Sequence, residues 1–371
     1  MLRQSPIRDG RSRKLPQFRL FEMPEPKVVV TEHRSVGVQC PCCGKGSRGT
    51  FPQGIDHPVQ YGPRLLGFAT YLHSVHLLPF ARCAQIVRDI TTTPFSVGNL
   101  SNALSVAHRR LDSFDEQLAK TLQQVKHQHA DETGSRVAGK LRWIHVRCTE
   151  TLCRLFSHEK RGSDAVKDLT HYSGCLMSDF YSSYVRLSCS HQFCGAHLLR
   201  ELTFMQEVLD QGWAGSLKAV IERMVSCCHR AREAGQDRVE NAGTLCSEFD
   251  VYVEEGLISN PLPPTKRAGR GRVAKGKVRC LLERLRTYRE QYLAFLSDLS
   301  LPFTNNEAER DLRMLKVKGK VSGCFRTTGG AEVFCRLRSY IVTCHKQEMA
   351  LLECLRSLFA GSPVWPSLNT T

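Results

Sequence analysis

Long apolar runs are missing from this 371-residue sequence. The longest uncharged stretch, Leu65 to Ala81, is interrupted by His73, His76 and Pro79 and falls short of a bilayer span. The N-terminus is basic but has no apolar core, which argues against a secretory signal. A soluble, cytoplasmic protein is therefore expected. Internal repeats are also missing, which excludes solenoids and propellers. Acid is the scarce charge: 36 Asp plus Glu stand against 52 Lys plus Arg, for a net +16. A surplus of that size favours polyanionic partners, nucleic acid first, although charge alone does not choose between DNA, RNA and acidic membranes. Cysteine is plentiful, but its 17 copies are odd in number and scattered through helical and strand-like stretches. That pattern differs from a short secreted disulfide scaffold and suits a reducing compartment, with most thiols acting as small buried hydrophobes. With 41% hydrophobic and 24% charged residues, the chain has an ordinary globular composition and room for two or three compact units.

Residues 1–30, rich in Pro and Arg, read as a mobile arm. Residues 31–60 hold Cys40-Pro-Cys-Cys43-Gly among strand formers and suggest a small strand-and-knuckle element. Residues 61–127 are helical in pattern. Cys83, Ile86, Val87 and Ile90 keep helical spacing, Thr91 to Pro94 break it, and Val97, Leu100, Leu104 and Leu111 resume it. Two helices around a short break fit a helix-turn-helix for DNA, and fit two packed core helices equally. From residue 128 the period changes. Leu141, Trp143 and His145 alternate with Arg142, Ile144 and Val146 after a Gly139-Lys140 turn. Thr151 to Phe156 forms a second strand candidate, Arg161 to Leu169 a helix, and Gly174 to Ser178 a short apolar run. This order predicts an α/β fold with a mixed sheet. A helical region follows over about 198–300. It contains a basic loop at 261–280, where Lys266 to Arg279 carries seven basic residues and no acidic one. Residues 346–371 read as a C-terminal tail.

Three carboxylates stand out. Asp131 lies in His129-Ala-Asp-Glu-Thr-Gly134, Asp179 where a strand ends, and Glu309 near a helix start in Asn305-Asn-Glu-Ala-Glu-Arg310. Three hard oxygen ligands converging on one spot repel one another unless cations neutralise them, so such a trio suits Mg²⁺ or Mn²⁺. Two such ions, about 3.5–4 Å apart, support in-line phosphoryl displacement. Each residue has a plainer reading: Asp131 as a turn residue, Asp179 as a helix cap, Glu309 in a capping box with Asn306. Glu307 could do the same with Thr304, and spacing does not choose between the glutamates. Ala308, Leu312 and Leu315 form an inward helical stripe with Glu309 at its edge, while Glu307 falls in an exposed first turn, which leans toward Glu309.

The ordered set of segments is similar to the transposases of the insertion-sequence 66 family, the products of its third reading frame. The matching stretches are His129-Ala-Asp-Glu-Thr-Gly, Trp143-Ile-His-Val, Lys160-Arg-Gly, Ser178-Asp-Phe-Tyr-Ser-Ser-Tyr184, Cys194-Gly-Ala-His-Leu-Leu-Arg-Glu-Leu202 and Asn305-Asn-Glu-Ala-Glu-Arg-Asp-Leu-Arg313. Ser322-Gly-Cys-Phe-Arg326 and Arg338-Ser-Tyr-Ile341 extend them, so the likeness runs from about His33 to about Gln347. The resemblance implies a ribonuclease-H-like catalytic domain over 128–345 with an Asp-Asp-Glu triad and a helical insertion. It places the Glu at Glu309 through the pattern Asn-Asn-x-x-Glu-Arg. It also implies two Mg²⁺ (or Mn²⁺) ions, with Asp131 bridging both and Asp179 and Glu309 each holding one. The expected reaction is hydrolysis at an element's ends, then attack of the freed 3′-hydroxyl on target double-stranded DNA. The protein would work as a homo-oligomer, in a prokaryotic cytoplasm near the nucleoid, with helper proteins of the same element.

Cys40 and Cys43 resemble the second half of that family's zinc region. The usual upstream cysteine pair is missing, His33 is a candidate third ligand, and a structural zinc needs four. Cys194 and His197, one helical turn apart, form a second soft pair or simply pack a helix. Arg200, Arg310, Arg313, Lys316, Lys318 and Lys320 crowd near the acidic centre and are expected to meet DNA phosphate. Two rival functions are a structure-specific nuclease on the same fold and a non-catalytic or truncated DNA-binding relative.

Overall fold

The computed structural model describes residues 19–23, 25–262 and 275–369. Most of the arm and the core of the basic loop, 263–274, therefore lie outside the described residues. The chain divides into two units, residues 1–56 with 86–94 and residues 57–85 with 95–371. In the first, β1 (Gly37–Gln39) and β2 (Gly46–Arg48) form an antiparallel hairpin. Its loop closes through Gly44 N–H to Cys40 O at 2.9 Å, with Gly44 at φ 68°, a conformation glycine takes without a Cβ clash.

The larger unit begins with α1 (Pro63–Ser74), which starts on a proline at its first position, where no N–H is needed. α2 (Phe80–Thr91), of which only residues 80–85 belong to this unit, stops where Thr92 turns to φ 53°. α3 (Val97–Arg110) is capped by Ser96 Oγ accepting from Asn99 N–H, and buries Leu100, Ala103, Leu104 and Ala107; α4 (Asp112–Leu122) follows.

The sheet follows. β3 (His127–Val137) and β4 (Lys140–Cys148) form a hairpin closed by Ala138 and Gly139, both at positive φ, as a tight two-residue turn requires. β5 (Cys153–His158) pairs antiparallel with β4. The helix that the sequence pattern predicts over Arg161–Leu169 is a 3₁₀ segment at Ser163–His171, and it leads to β6 (Cys175–Ser178). α5 (Ser182–Val185) leads to β7 (Ser190–Phe193), a strand the sequence pattern does not reveal. The order is β5-β4-β3-β6-β7, with β6 parallel to β3 and β7 parallel to β6. A five-stranded mixed sheet within an α/β fold is thus present.

α6 (Gly195–Glu207), α7 (Gly212–Glu233), α8 (Ala242–Ser259), α9 (Gly276–Thr287) and α10 (Arg289–Ser297) share an apolar core built on Trp213, Leu217, Ile221, Phe249, Leu282 and Phe295. α11 (Asn306–Ser322) then returns to the sheet and packs Ala308, Leu312 and Leu315 against β3 and β4. Burying each leucine contributes about 2 kcal/mol. α12 (Thr328–Lys346) lies on β5, where Ser339 and Thr343 hydroxyls accept from Leu155 and Cys153 N–H. The stretch read as a tail carries α13 (Leu351–Ala360), which meets α1 so closely that a Cβ on Gly67 would sit 3.0 Å from Arg356 N. Trp365 beyond it stacks on Phe114, ring centres 5.7 Å apart. Among the described residues no helix is long and apolar enough to cross a membrane.

Candidate active site

Asp131 stands inside the central strand β3, opposite Val146, rather than in the turn. Its Oδ1 accepts from Glu132 N–H at 2.8 Å. Asp179 follows the last residue of β6; the N-cap of α5 is Tyr181, so Asp179 does not cap that helix. Glu309 occupies the first turn of α11, whose N-cap is Asn305 without a side-chain capping bond, so neither capping box is formed.

Two anchors fix α11 along β3. At its N-terminus the buried Asn305 side chain donates to Ala130 O (2.9 Å) and accepts from His129 Nδ1–H (2.8 Å), both on the strand segment leading to Asp131. Burial holds His129 below its ordinary pKa, hence neutral, with its proton on Nδ1. At the far end Phe325 pairs with β3, exchanging bonds with Arg136 O and Ala138 N–H at 3.1 and 2.9 Å. α6 is tied to the same place. Gly195 N–H donates to Phe303 O, and a Cβ on Gly195 would fall 2.0 Å from the Phe303 ring, so only glycine fits. Asn305 entered the sequence reading only as part of a motif, yet it sets the distance between strand and helix. Asn305→Leu should cost about 2–4 kcal/mol, measured by denaturant unfolding, because it orphans a buried donor and a buried acceptor. An unchanged midpoint would remove Asn305 from this role.

These anchors bring Asp131 and Glu309 to one cavity of about 620 Å³, lined also by Glu132, His197, Arg200, Arg310, Arg313 and Lys316. Asp179 is not on that lining, but its charge reaches Asp131. Burial, with Glu132, Asp179 and Glu309 nearby, pushes the Asp131 pKa up to about 7. Burial first, then Glu132, also raises Asp179, against the pull of His197 and Arg161. Asp179 Oδ1 and Glu309 Oε1 are both buried and have no hydrogen-bond partner among the described residues. Crowded carboxylates with orphaned oxygens are a donor set that hard divalent cations satisfy.

Because the Asp131 value in the fold lies above the ordinary 3.8, its stabilising contribution is full below about pH 4 and is lost as pH rises through about 7. A divalent cation held here would need the ionised form, so Mg²⁺ is expected to raise Tm more at about pH 8 than at about pH 5.5. Its apparent affinity should fall about tenfold per pH unit below 7. Thermal unfolding with and without Mg²⁺ checks this, and a pH-independent shift contradicts it.

The two glutamates part company here. Glu307 is half-buried, not exposed, and bonds Lys346 Nζ and Arg310, each at 3.0 Å. Lys346, and then Arg310 and His129, overcome the burial that would raise it, so Glu307 sits below its ordinary value. Glu309 instead meets His197 Nδ1 at 3.8 Å and Arg200 Nη2 at 3.6 Å, facing the cavity. Glu132, unremarked in the sequence, is buried and bonded by Arg161 Nε (2.7 Å) and the Tyr184 hydroxyl (2.6 Å).

Of the basic residues, Arg200, Arg310, Arg313, Lys316 and Lys320 are exposed. Lys318 is not: its ammonium lies 3.9 Å from the Phe325 ring centre and donates to Gly323 O. It serves the fold, and the expectation that Lys318 meets phosphate does not hold for a buried ammonium. At the described end of the basic loop, Lys275 and Arg279 are likewise committed to Glu283.

Cys40 remains a half-site. The Cys43 and Cys42 N–H groups hold its thiol below the ordinary value, but among the described residues neither His33 nor any other ligand type joins Cys40 and Cys43. The one group of three ligand atoms among the described residues is Cys194, His197 and Glu309, all within 4.8 Å of one another. Burial works against a Cys194 thiolate, yet the adjacent His197 and the Asn305 N–H (3.2 Å from Sγ) outweigh it and hold the thiol low. Cys194 in turn holds His197 above its ordinary value.

Comparison with the curated proteins finds no match. A family model described as "Transposase IS66 family" matches residues 58–333.

Proposed function

We propose, from the premise that this chain belongs to the Transposase IS66 family, that it cuts and joins double-stranded DNA at insertion-sequence ends through Asp131, Asp179 and Glu309. The observation that carries this reading is the shared cavity. One acid on the central strand and one on a helix pinned to that strand open into it, with arginines and lysines at its rim. The sheet order supports a ribonuclease-H-like domain: three antiparallel strands, then two parallel ones, with Asp131 on the middle strand and Asp179 at the end of its parallel neighbour.

The residues fit a pair of Mg²⁺ or Mn²⁺ ions, since the donors are hard oxygens, two of them orphaned and buried. Asp131 would be the shared ligand, with Asp179 and Glu309 holding one ion each. Such ions, when bound, supply Lewis acidity for phosphodiester displacement. The protein's own part is positional. The β3–α11 anchors fix the carboxylates, and Arg200, Arg310, Arg313 and Lys316 hold the phosphate backbone against them. Hydrolysis would free a 3′-hydroxyl, and strand transfer would join it to a target.

Strand transfer with end-containing DNA and Mg²⁺ tests this. Joined product is expected; cleavage without joining would favour a nuclease, and binding without cleavage a non-catalytic relative. Binding itself should weaken steeply with salt, because phosphate contacts release counterions. Arg313→Ala or Lys316→Ala should each reduce the slope of log K against log salt by about 1. A flat salt response in the wild type would contradict the DNA reading.

A further inference from the structure

Cys194, His197 and Glu309 have no place together in the proposed chemistry, yet their ligand atoms lie within 4.8 Å of one another. We infer that they form a second, softer metal site, for Zn²⁺ or a cation like it, that competes with Mg²⁺ by taking Glu309. The donor types carry this. Thiolate and imidazole with one carboxylate select zinc-like ions, whereas the Asp131 and Asp179 oxygens select Mg²⁺. Three protein ligands leave a fourth position open to the cavity, where Glu309 and His197 both line the wall.

The geometry needs little change. A tetrahedral ion with sulfur at about 2.3 Å and nitrogen at about 2.0 Å holds its ligand atoms roughly 3.5 Å apart. The Cys194 backbone is fixed by Cys194 N–H to Ser178 O (2.9 Å), and its Sγ accepts from Asn305 N–H. His197 and Glu309 are half-buried side chains free to close the remaining gap. Among the described residues Glu309 Oε1 has no hydrogen-bond partner, and the Glu309 contacts from Arg200 and His197, at 3.6 and 3.8 Å, are long. On binding, Cys194 loses its proton to solvent. His197, which faces Glu309 through Nδ1, coordinates there and carries its proton on Nε2, which displaces the 3.5 Å contact from Arg200. The remaining Asp131 and Asp179 then lack the third ligand of the magnesium pair.

The binding half stands on geometry alone; the competition half rests on the reading of Glu309 as a Mg²⁺ ligand. The test uses the full chain, reduced, with Cys40→Ser, Cys42→Ser and Cys43→Ser to silence the three thiols of the N-terminal hairpin. Titration with Co²⁺ should give a thiolate charge-transfer band that Cys194→Ser abolishes, and His197→Gln should weaken binding at least about tenfold. Absence of the band, or its persistence in Cys194→Ser, overturns the site. Zn²⁺ should also inhibit Mg²⁺-dependent cleavage, with Cys194→Ser at least about tenfold more resistant. A bound thiolate metal with undiminished cleavage overturns the sharing of Glu309. A band that follows Cys194 in a protein that never cleaves DNA upholds the site and instead defeats the transposase chemistry.

Discussion

Asp131→Asn should lower Mg²⁺-dependent DNA cleavage by at least about a thousandfold, some 4 kcal/mol in the barrier, while DNA binding stays within a few-fold. Asparagine keeps the shape and can still accept from Glu132 N–H, so β3 has no reason to rearrange. What it removes is an ionised oxygen in the place where burial and three neighbouring carboxylates already disfavour charge. Glu309→Gln should match that loss, because its side chain faces the same cavity. Glu307→Gln should not, since its carboxylate is spent on Lys346 and Arg310. Single-turnover cleavage of end-containing DNA separates the three variants. Equal losses in Glu307→Gln and Glu309→Gln would show that α11 position, rather than ligation, is being measured.

The largest expected stability effect lies behind the site. Lys346→Met should destabilise the protein by about 3–5 kcal/mol, a Tm fall on the order of 10 °C. The Lys346 side chain is 9% exposed; its ammonium donates to Glu307 at 3.0 Å and Thr149 O at 2.6 Å and forms an ion pair with Asp311 at 3.0 Å. Burial works against its charge, but the Cys148 and Cys153 thiols with Asp311 and Glu307 outweigh that and keep it above its ordinary value. Removing the cation strands Asp311, itself 6% exposed, beside a second carboxylate. Lys346→Met with Asp311→Leu should recover part of the loss, because the more deeply buried carboxylate is removed and the remaining one, Glu307, keeps Arg310. Calorimetry measures both variants. A Tm unchanged in the single variant would mean that these charges are solvated.

Parts of the sheet and of α11 are legible in the sequence, and the misses within the sheet share one physical cause. The hairpin of β3 and β4 is marked by Gly139 and the alternation after it, and the 308–312–315 stripe is the face of α11 that packs on the sheet, with Glu309 on the cavity lining beside it. The start of β3 and all of β7 went unread because their buried residues are polar. Gln128 and His129 are almost fully buried, Gln128 Oε1 accepting from Arg147 and His129 Nδ1 facing Asn305, and Gln192 accepts from Phe295 N–H at 2.7 Å. Hydrophobic periodicity cannot show a strand whose inward groups are amides and imidazoles paired with partners 19, 103 and 176 residues away. Lys318 was a different miss. Its helical spacing from Leu315 puts it on the inner face, and only its charge suggested otherwise. Glu307 looked exposed because nothing local announces Lys346, 39 residues later.

Anomalous diffraction from crystals soaked in Mn²⁺ tests the central claim most directly. The account predicts ions within bonding distance of carboxylate oxygens from Asp131, Asp179 and Glu309 together. Ions bound elsewhere, or at Asp131 and Asp179 with Glu309 still turned to Arg200 and His197, would contradict it.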